Sequence, residues 1–356
     1  MRKFFSKSGF ALNISAAILL LLAYAAPLVP PDFFWPLAFF GLAHLYLVFV
    51  NLLFLIVWVL LRSRKFLLPL CILMIGYPDL RNSIQLIPRS GSEETGIEVL
   101  SYNVHGFRSE LRSRKTNSPR ILEYFRSEGA AIICLQEATQ IKTGKLSPGG
   151  INEALPQINY YHVASAGSSS DLVTFSKYPI INKGEMTFIA SPVLVLYSDI
   201  KISDHQTIRV YNCHLQSYSI DPDDYSTIDS IGSASGRQHI KEARKISYKL
   251  RNGFRLRAYQ ARKLAEHIGK SPYPVVVCGD FNDTPVSYAY RKVRGELKDA
   301  FVESGWGISN TFNGDLPSFR IDYILYDQRL SAWNYQRDRV PYSDHFPVHC
   351  RINHIK

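Results

Sequence analysis

The chain has 356 residues, which is enough for two or three structural units. Hydrophobic residues make up 46% of it and charged residues 20%, a balance that excludes a disordered chain. The five cysteines are too few for a disulfide-dense miniprotein. The formal net charge is +11. Much of that charge lies beside hydrophobic runs, where it indicates membrane topology before nucleic-acid binding.

Three hydrophobic runs lie within the first ninety residues. No Lys, Arg, Asp or Glu occurs from Gly9 to Pro31 or from Phe33 to Leu61, so each of these runs could cross a bilayer, which takes about 20 residues. The third run, Phe66 to Tyr77, is short and contains Pro69. We predict a membrane anchor over residues 1–90, with helices at about 10–30 and 34–61 and a third at 66–80 if that run crosses. A cleaved signal peptide is the alternative for the first run, but a second run of this length argues against it.

The charged residues between the runs predict the orientation of the anchor. Arg2, Lys3 and Lys7 precede the first run, residues 62–65 add three more cations after the second, and the short link between the runs carries only Asp32. The positive-inside rule therefore places both basic segments in the cytoplasm. If the third run crosses, the remainder of the chain lies outside, and otherwise it is cytoplasmic. We expect a multi-pass protein of the inner (plasma) membrane whose N-terminal helices contact the lipid bilayer and whose second domain, residues 91–356, is extracytoplasmic. No obligate protein partner is inferred.

After a turn-rich polar linker at 88–96, the sequence alternates between short β-rich runs and a few helical patterns. This pattern predicts a layered α/β sandwich. The predicted strands are Ile97–Tyr102, Ala130–Leu135, Leu172–Phe175, Val193–Tyr197, Thr207–Cys213, Pro274–Cys278, Ile321–Tyr326 and Pro347–Ile352.

Polar residues stand at the ends of six of these strands. Four strands finish on one, and two strands begin just after one. Since one strand's end lies beside its neighbour's start in an antiparallel sheet, all six groups can meet at one edge. They are Asn103, Glu137, His214, Asp280 with Asn282, Asp322, and Asp344 with His345.

The side chains at this edge suit the hydrolysis of a phosphate ester. Oxygen ligands from Asn, Glu and Asp fit a hard cation such as Mg²⁺ or Mn²⁺. The two histidines add proton-transfer capacity near neutral pH. A cation beside a carboxylate that orients water would neutralise the charge that develops on phosphoryl oxygens.

Six motifs occur in an order that resembles the endonuclease/exonuclease/phosphatase superfamily, which has the DNase I-like fold. The match spans residues 97–352. The resemblance implies a four-layer α/β sandwich of two packed mixed β-sheets flanked by helices, and a divalent-metal-dependent phosphoesterase that acts on a phosphodiester by in-line attack of an activated water. The motifs are Leu100–Asn103, Leu135–Glu137, Asn212–Leu215, Gly279–Pro285, Arg320–Tyr323 and Ser343–His345.

The same resemblance implies roles for the metal and water residues. Glu137 would hold the divalent metal, with Asn103 next to it and Asp344 as a further ligand. Asp280 would orient the attacking water and help to deprotonate it. Asn282 would contact the phosphate.

It also implies roles for the residues that face the phosphate. His345, hydrogen-bonded to Asp322, would polarise the phosphate or act as a base. His214 would act on the phosphate or the leaving oxygen. Gln136 and Arg320 would be supporting residues around the site, and Arg320 would contribute to substrate binding. For Asp322 and Gln136, a purely structural role is an equal alternative.

Several functional alternatives remain open from the sequence. The substrate could be nucleic acid, a sphingomyelin-like phospholipid or a phosphorylated small molecule, because one fold hosts many functions. A non-catalytic membrane scaffold or binding domain is the alternative from another class, and the presence of the metal and water residues argues against it. The basic stretch 237–263 could guide an anionic substrate or be a solvated helix face.

Overall fold

The computed structural model of the chain describes residues 2–87, 96–107, 117–139, 148–164, 171–188, 191–218, 237–314 and 319–354. Most of the predicted linker at 88–96 lies outside these ranges. The helices of the N-terminal region are α1 (Arg2–Ala25), α2 (Pro31–Phe34), α3 (Pro36–Leu42), α4 (His44–Leu60), α5 (Leu67–Ile75) and α6 (Tyr77–Ser83).

Within the described residues, one helical segment, Lys7–Ala25, is long and apolar enough by itself to cross a membrane. Helices α3 and α4 meet that criterion only together, and they are bent by 64° where they join. The structure thus breaks the helix predicted over 34–61. Pro36 begins α3 because it lacks the N–H that a helix interior requires, and Ala43, at φ −82° and ψ 2°, leaves the helical region. The third run is likewise divided, into α5 and α6 at Gly76.

Two buried asparagines join α1 to α4. The indole N–H of Trp58 donates to Oδ1 of Asn13 at 3.0 Å, and the amide of Asn51 donates to the carbonyl oxygen of Ala16 at 3.1 Å. Small residues of α1, Ala17 and Ala23 among them, pack against α5 in a separate apolar cluster. The N-terminal helices therefore form a packed unit with its own core.

The strands of the described residues form two large mixed sheets. The first has the order β10-β12-β9-β8-β7-β6 and the second β13-β14-β2-β3-β5-β4, and a short ribbon pairs β1 with β11. Each large sheet contains one parallel pair, β8 with β9 and β2 with β3. The strand bounds are β1 (Ile84–Gln85), β2 (Ile97–Asn103), β3 (Ile132–Gln136), β4 (Tyr160–Ala164), β5 (Leu172–Ser176), β6 (Ile180–Phe188), β7 (Ser191–Ser203), β8 (Gln206–His214), β9 (Val275–Asp280), β10 (Lys298–Asp299), β11 (Gly307–Ile308), β12 (Asp322–Tyr326), β13 (Leu330–Arg337) and β14 (Val348–His354).

Helices cover the outer faces of both sheets. One core lies between the sheets and joins Val99 and Ile132 to Val210 and Val276. A second core packs α7 and α8 on the second sheet, and a third packs α9 and α10 on the first. This arrangement confirms the predicted α/β sandwich with its two mixed sheets and flanking helices. The remaining helices are α7 (Ser118–Glu128), α8 (Pro148–Ala154), α9 (Arg237–Ile268), α10 (Tyr288–Arg294) and α11 (Ala300–Ser304).

The N-terminal helices contact the sandwich at several points. Asp32 of α2 forms an ion pair with Arg262 of α9, and the rings of Phe39 and Phe254 meet edge to face with centroids 5.4 Å apart. Gly41 of α3 lies so close to Val286 that an added Cβ would be 2.3 Å from its carbonyl oxygen. The side of the sandwich that carries α9 and the loop after β9 therefore rests on the bend between α3 and α4.

Candidate active site

The pairing register of the strands brings the predicted polar residues to one edge. In the second sheet, Asn103 at the end of β2 is level with Gln136 at the end of β3. In the first sheet, Asp280 at the end of β9 is level with both His214 and Asp322. Because these residues are paired with one another across neighbouring strands, their side chains lie at the same edge of each sheet, as the sequence predicted.

Asp280 is buried at the centre of this edge. Its carboxylate accepts hydrogen bonds from the backbone N–H of Asn282 at 2.7 Å and from the side-chain amide of Asn103 at 3.1 Å. The imidazole Nε2 atoms of His345 and His214 lie 3.7 and 3.9 Å from the same carboxylate. Burial raises the pKa of Asp280 to about 6, against the opposing influence of the histidines.

His345 is held by a second carboxylate. Its Nδ1 is 2.9 Å from Oδ2 of Asp322, which leaves Nε2 facing Asp280. The ring of Phe312 meets the imidazole edge to face, with centroids 5.3 Å apart. Burial alone would lower the pKa of His345, but the charges of Asp322 and Asp280 raise it well above its usual range. The predicted partnership of His345 with Asp322 is thus present in the structure.

Glu137 lies across from Asp280 and shares two of its neighbours. Its Oε1 accepts a hydrogen bond from the Asn103 amide at 3.1 Å and is 3.5 Å from Nε2 of His214. Burial would raise the pKa of Glu137, but hydrogen bonds from His105 and Asn103 and the charge of His214 outweigh it and lower the pKa to about 2. The group is therefore a carboxylate at every physiological pH.

His105 is a site residue that the sequence analysis missed. Its Nδ1 lies 3.4 Å from Oε2 of Glu137 and 3.5 Å from Oδ2 of Asp344, so it bridges the two predicted metal ligands. Its hydrogen bond to Glu137 raises the pKa of the imidazole. Its place two residues after Asn103, in a turn that continues from β2, was the available signal.

Three residues of the site have left-handed backbone, which is unusual for residues other than glycine. The φ angles are 54° at Glu137, 52° at Asn282 and 44° at His105. Such strain costs on the order of 1–3 kcal/mol per residue and persists where the surrounding structure imposes it. Gly279 allows the close approach of β9 to β8, because a Cβ there would be 2.0 Å from the carbonyl oxygen of Cys213.

The donor set is suitable for a hard divalent cation. The carboxylates of Glu137 and Asp344 face the same atom of His105, and the Asn103 side chain lies beside Glu137. Carboxylate and amide oxygens are what Mg²⁺ and Mn²⁺ prefer. Among the described residues, groups of three with metal-ligand spacing are Asp280, Asp322 and His345 in the site, and Glu128, Asp338 and His349 on the second sheet; neither group contains Glu137 or Asp344.

Gln136 lies beneath the site and joins the two sheets. Its amide donates to Oδ1 of Asn212 at 2.7 Å, and the Asn212 amide donates in turn to the carbonyl oxygens of Leu135 and Val173. Gln136 belongs to the second sheet and Asn212 to the first. This buried pair therefore fixes the two sheets relative to each other directly beneath the site.

The structure does not bring Arg320 into the site, contrary to the prediction that it supports the substrate side. Its guanidinium is buried, forms a two-pronged ion pair with Asp299 at 2.8 and 3.1 Å, and donates to the carbonyl oxygen of Asn82. The physical reason is that Asp299 offers a fully buried carboxylate on the far side of β12. Arg320 thus ties α6 to the sandwich.

The basic stretch 237–263 lies in α9, and two of its cations have structural partners. Arg257 is fully buried, and its Nε lies 3.0 Å from Asp283 beneath the ring of Tyr218. Arg262 pairs with Asp32. These two residues join the helix to the loop after β9 and to the N-terminal helices. Neither of them is available to guide a substrate.

Two family models match the chain. Residues 100–345 match the Endonuclease/Exonuclease/phosphatase family, and residues 2–83 match a domain of unknown function, DUF8431. The first match covers more than half of the chain, so the protein belongs to the endonuclease/exonuclease/phosphatase family, whose members are phosphoesterases with the DNase I-like fold. No curated protein matches the chain.

Solved structures share the fold at low sequence identity. The endonuclease/exonuclease/phosphatase from Bacteroides vulgatus aligns with a TM-score of 0.52 at 16% identity, over 74% of this chain and all of that one. The family member from Beutenbergia cavernae gives 0.51 at 16% identity, over 72% of this chain and 71% of that one. A conserved protein of unknown function from Enterococcus faecalis gives 0.51 at 16% identity, over 73% of this chain and all of that one.

Proposed function

We propose that the protein is a membrane-anchored, divalent-metal-dependent phosphodiesterase that cleaves its substrate by in-line attack of water. One observation carries the proposal: Asp280 is buried within 4 Å of His214 and His345, and Glu137 shares Asn103 and His214 with it. Bases, hydrogen-bond donors and a metal-binding carboxylate thus converge on one point at the edge of both sheets.

Asp280 is the base in this proposal. With a pKa of about 6 it is mostly ionised at neutral pH, yet basic enough to accept a proton from the attacking water. The Asn282 and Asn103 donors fix its orientation. Asn282, whose left-handed backbone places it directly beyond β9, contacts the phosphate.

His345 and His214 act on the phosphoryl oxygens. Asp322 fixes the His345 ring through Nδ1, so that Nε2 is directed to the site and donates to a phosphoryl oxygen. His214 is buried, and neither ring nitrogen has a hydrogen-bond partner among the described residues. Its Nε2 faces the carboxylates of Glu137 and Asp280 at 3.5 and 3.9 Å, and from there it would donate to the phosphate or the leaving oxygen.

Glu137, Asn103 and Asp344 would hold the divalent cation, Mg²⁺ or Mn²⁺. The cation would neutralise negative charge on the phosphate as the leaving oxygen departs. His105 positions both carboxylates, because its Nδ1 faces one oxygen of each.

We further propose that the N-terminal helices anchor the enzyme in the inner (plasma) membrane. Helices α1 and α4 expose large apolar side chains, including Leu12, Ile18, Phe49 and Leu60. A continuous apolar surface of this kind marks a membrane or partner interface. Joined by the internal hydrogen bonds of Asn13 and Asn51, the two helices can cross a bilayer together.

The contacts of the sandwich favour an extracytoplasmic catalytic domain. Asp32, between the first two spans, pairs with Arg262, so this link and the sandwich lie on one side of the membrane. The basic residues 62–65 follow the opposite end of α4. The positive-inside rule places those cations in the cytoplasm and hence the sandwich outside. Helices α5 and α6, Leu67–Ser83, would return the chain across the membrane.

A hydrolysis panel on the full-length protein tests the function. We expect bis(4-nitrophenyl) phosphate to be cleaved in the presence of Mg²⁺ or Mn²⁺, and Asp280→Asn to abolish the cleavage. DNA, RNA and phospholipid substrates would then assign the nuclease-like or lipid alternative. A folded full-length protein that cleaves none of these diesters with either metal would favour the non-catalytic scaffold instead.

A further inference from the structure

A cavity of about 450 Å³ lies between the N-terminal helices and the catalytic domain. One wall is the bend from α3 to α4, with Gly41, His44 and Phe49 along it. The opposite wall is the loop Thr284–Val286, with Ile308 and Phe319 beside it. The volume lies in the range of about 300–1,000 Å³ that is usual for small-molecule sites.

Three residues that line this cavity carry buried polar atoms. Among the described residues, no hydrogen-bond partner is present for either ring nitrogen of His44, which is 2% exposed, for the Thr284 hydroxyl, on a residue 6% exposed, or for the Nε of Arg320. These atoms have almost no accessible surface, so the wall that the cavity presents is mostly apolar. Such a wall suits a hydrocarbon chain.

The cavity is lined by segments that adjoin catalytic residues in the chain, and it reaches the exposed apolar surface of α4. Thr284 lies two residues after Asn282, and Arg320 lies two residues before Asp322. The hydroxyl of Tyr323 donates to the carbonyl oxygens of Asp283 and Arg320 and so holds the two segments together. On the other side, Tyr46 and Phe49 line the cavity and are more than half exposed on α4.

We infer that this cavity binds the hydrocarbon tail of a lipid phosphodiester drawn from the bilayer, while the headgroup phosphate occupies the Asp280 site. The inference rests on the proposed function and adds a substrate class to it. The apolar walls take the methylene chain. The N-terminal helices and the catalytic domain each contribute one wall of this cavity.

The test compares substrates that differ only in chain length. Full-length protein in phosphatidylcholine nanodiscs is given 4-nitrophenyl alkyl phosphates with methyl, octyl or dodecyl chains, and kcat/KM is measured for each. For the unchanged protein we expect the dodecyl-to-methyl ratio to be at least about tenfold, since two fully buried methylenes already contribute that factor.

Matched variants separate the cavity from simple partitioning into the bilayer. Ile308→Trp fills the cavity from a half-exposed position, and Ile181→Trp adds the same bulk at a similarly exposed position outside it. We expect Ile308→Trp to reduce the dodecyl-to-methyl ratio at least about fivefold and Ile181→Trp to preserve it. Phe49→Ser removes an apolar side chain from the cavity wall, and Leu60→Ser removes one from the same helix outside the cavity. We expect the first variant to reduce the dodecyl-to-methyl ratio and the second to preserve it.

The outcomes distinguish the two levels of the proposal. If the dodecyl-to-methyl ratio of kcat/KM is the same in all variants, whether it is high or close to one, the tail site is wrong and the phosphodiesterase function stands. Failure of every chain length, including the methyl ester, would overturn the function itself.

Discussion

Asp32 and Arg262, which are 230 residues apart in the chain, form a two-pronged ion pair with N–O distances of 2.9 and 3.0 Å. Both side chains are partly exposed, so screening keeps the contribution of the pair to stability small. The main effect of the pair is to connect two segments that are distant in the chain. It joins the link between two proposed spans to a helix of the catalytic domain, which in the proposed topology places both on one side of the bilayer.

This relationship predicts the topology of the full-length protein. Alkaline phosphatase fused after Lys356 should be active in a bacterial host, and a fluorescent protein that matures only in the cytoplasm should remain dark at the same position. A fusion after Leu61 reports the cytoplasmic side and serves as the control. The reverse pattern at the C-terminus would place the catalytic domain in the cytoplasm and leave α5 and α6 on one side of the membrane.

Replacing Asp280 should remove catalysis without unfolding the protein. We expect Asp280→Asn and His345→Ala each to lower kcat by at least about two orders of magnitude, because each removes a group that faces the phosphate or the water. Asp204→Asn, at a fully exposed carboxylate on the β7–β8 turn, is the matched control and should be unchanged. Thermal unfolding measured in parallel would reveal a variant that fails through misfolding. Near-normal turnover in folded Asp280→Asn would show that another group is the base.

Chelation should stop the reaction reversibly. Exhaustive EDTA treatment is expected to abolish phosphodiester cleavage, and Mg²⁺ or Mn²⁺ should restore it, because the Glu137 and Asp344 carboxylates would hold the ion. Glu137→Gln keeps the shape and removes the charge, so it should raise the metal concentration for half-maximal activity at least about tenfold. Full activity in the chelated enzyme would contradict a metal-dependent mechanism.

A group of charged residues far from the site predicts how stability depends on pH. His349 is buried, with Nδ1 2.7 Å from Glu98 and Nε2 3.1 and 3.7 Å from Asp338 and Glu128. Arg351 and Tyr124 complete the surroundings, through hydrogen bonds to Glu98 and Asp338. Burial alone would lower the pKa of His349, but the hydrogen bonds and charges of Asp338 and Glu98 raise it to about 9.

Because the pKa of His349 is higher in the folded state, its protonation stabilises the fold below about pH 6.5, and this contribution is lost as the pH rises through about 9. The expected loss is about 3 kcal/mol in the free energy of unfolding. Urea unfolding between pH 6 and pH 10, with chelator present, should show the decline in the unchanged protein. A difference from His349→Gln that does not vary with pH would refute this prediction.

Gly41 should be required for the contact between α3 and the catalytic domain. A Cβ there would meet the carbonyl oxygen of Val286 at 2.3 Å, so Gly41→Ala should lower the free energy of unfolding by ~1–3 kcal/mol. Gly269→Ala is the control, because its Cβ would meet its nearest neighbour at an ordinary 3.5 Å. Equal stability of the two variants would mean that the helices do not pack on the loop as described.

The sequence predicted the strands and the site edge because both have local signals. Each strand predicted from a β-rich run overlaps an observed one, and the polar residues at their ends meet where pairing brings those ends together. The four edge strands of the large sheets, β4, β6, β10 and β13, were missed, because they are short or carry exposed residues and so lack a clear hydrophobic pattern. The order of the six motifs indicated the fold family, because six motifs at fixed strand ends restrict the fold more than any single motif does.

What the sequence did not predict depends on long-range contacts. The bend between α3 and α4 lies beside the contact of Gly41 with Val286, more than 240 residues later in the chain, which no local pattern reveals. Arg320 stands in a motif of the site, yet its partner is Asp299, because a buried guanidinium requires the nearest buried carboxylate. His105 bridges Glu137 and Asp344 only after β2, β3 and the segment before β14 have assembled.

The ribbon of β1 and β11 has a practical consequence for anyone who prepares this enzyme. Ile84 pairs with Ile308, so the last residues of the helical region are hydrogen-bonded into the catalytic domain. A soluble truncation that begins at residue 91 would discard that strand together with Gly41, His44 and Phe49. If the cavity binds the lipid tail as proposed, screens run on such a fragment would rank compounds by their headgroups alone, and a lipid substrate would score no better than a short ester.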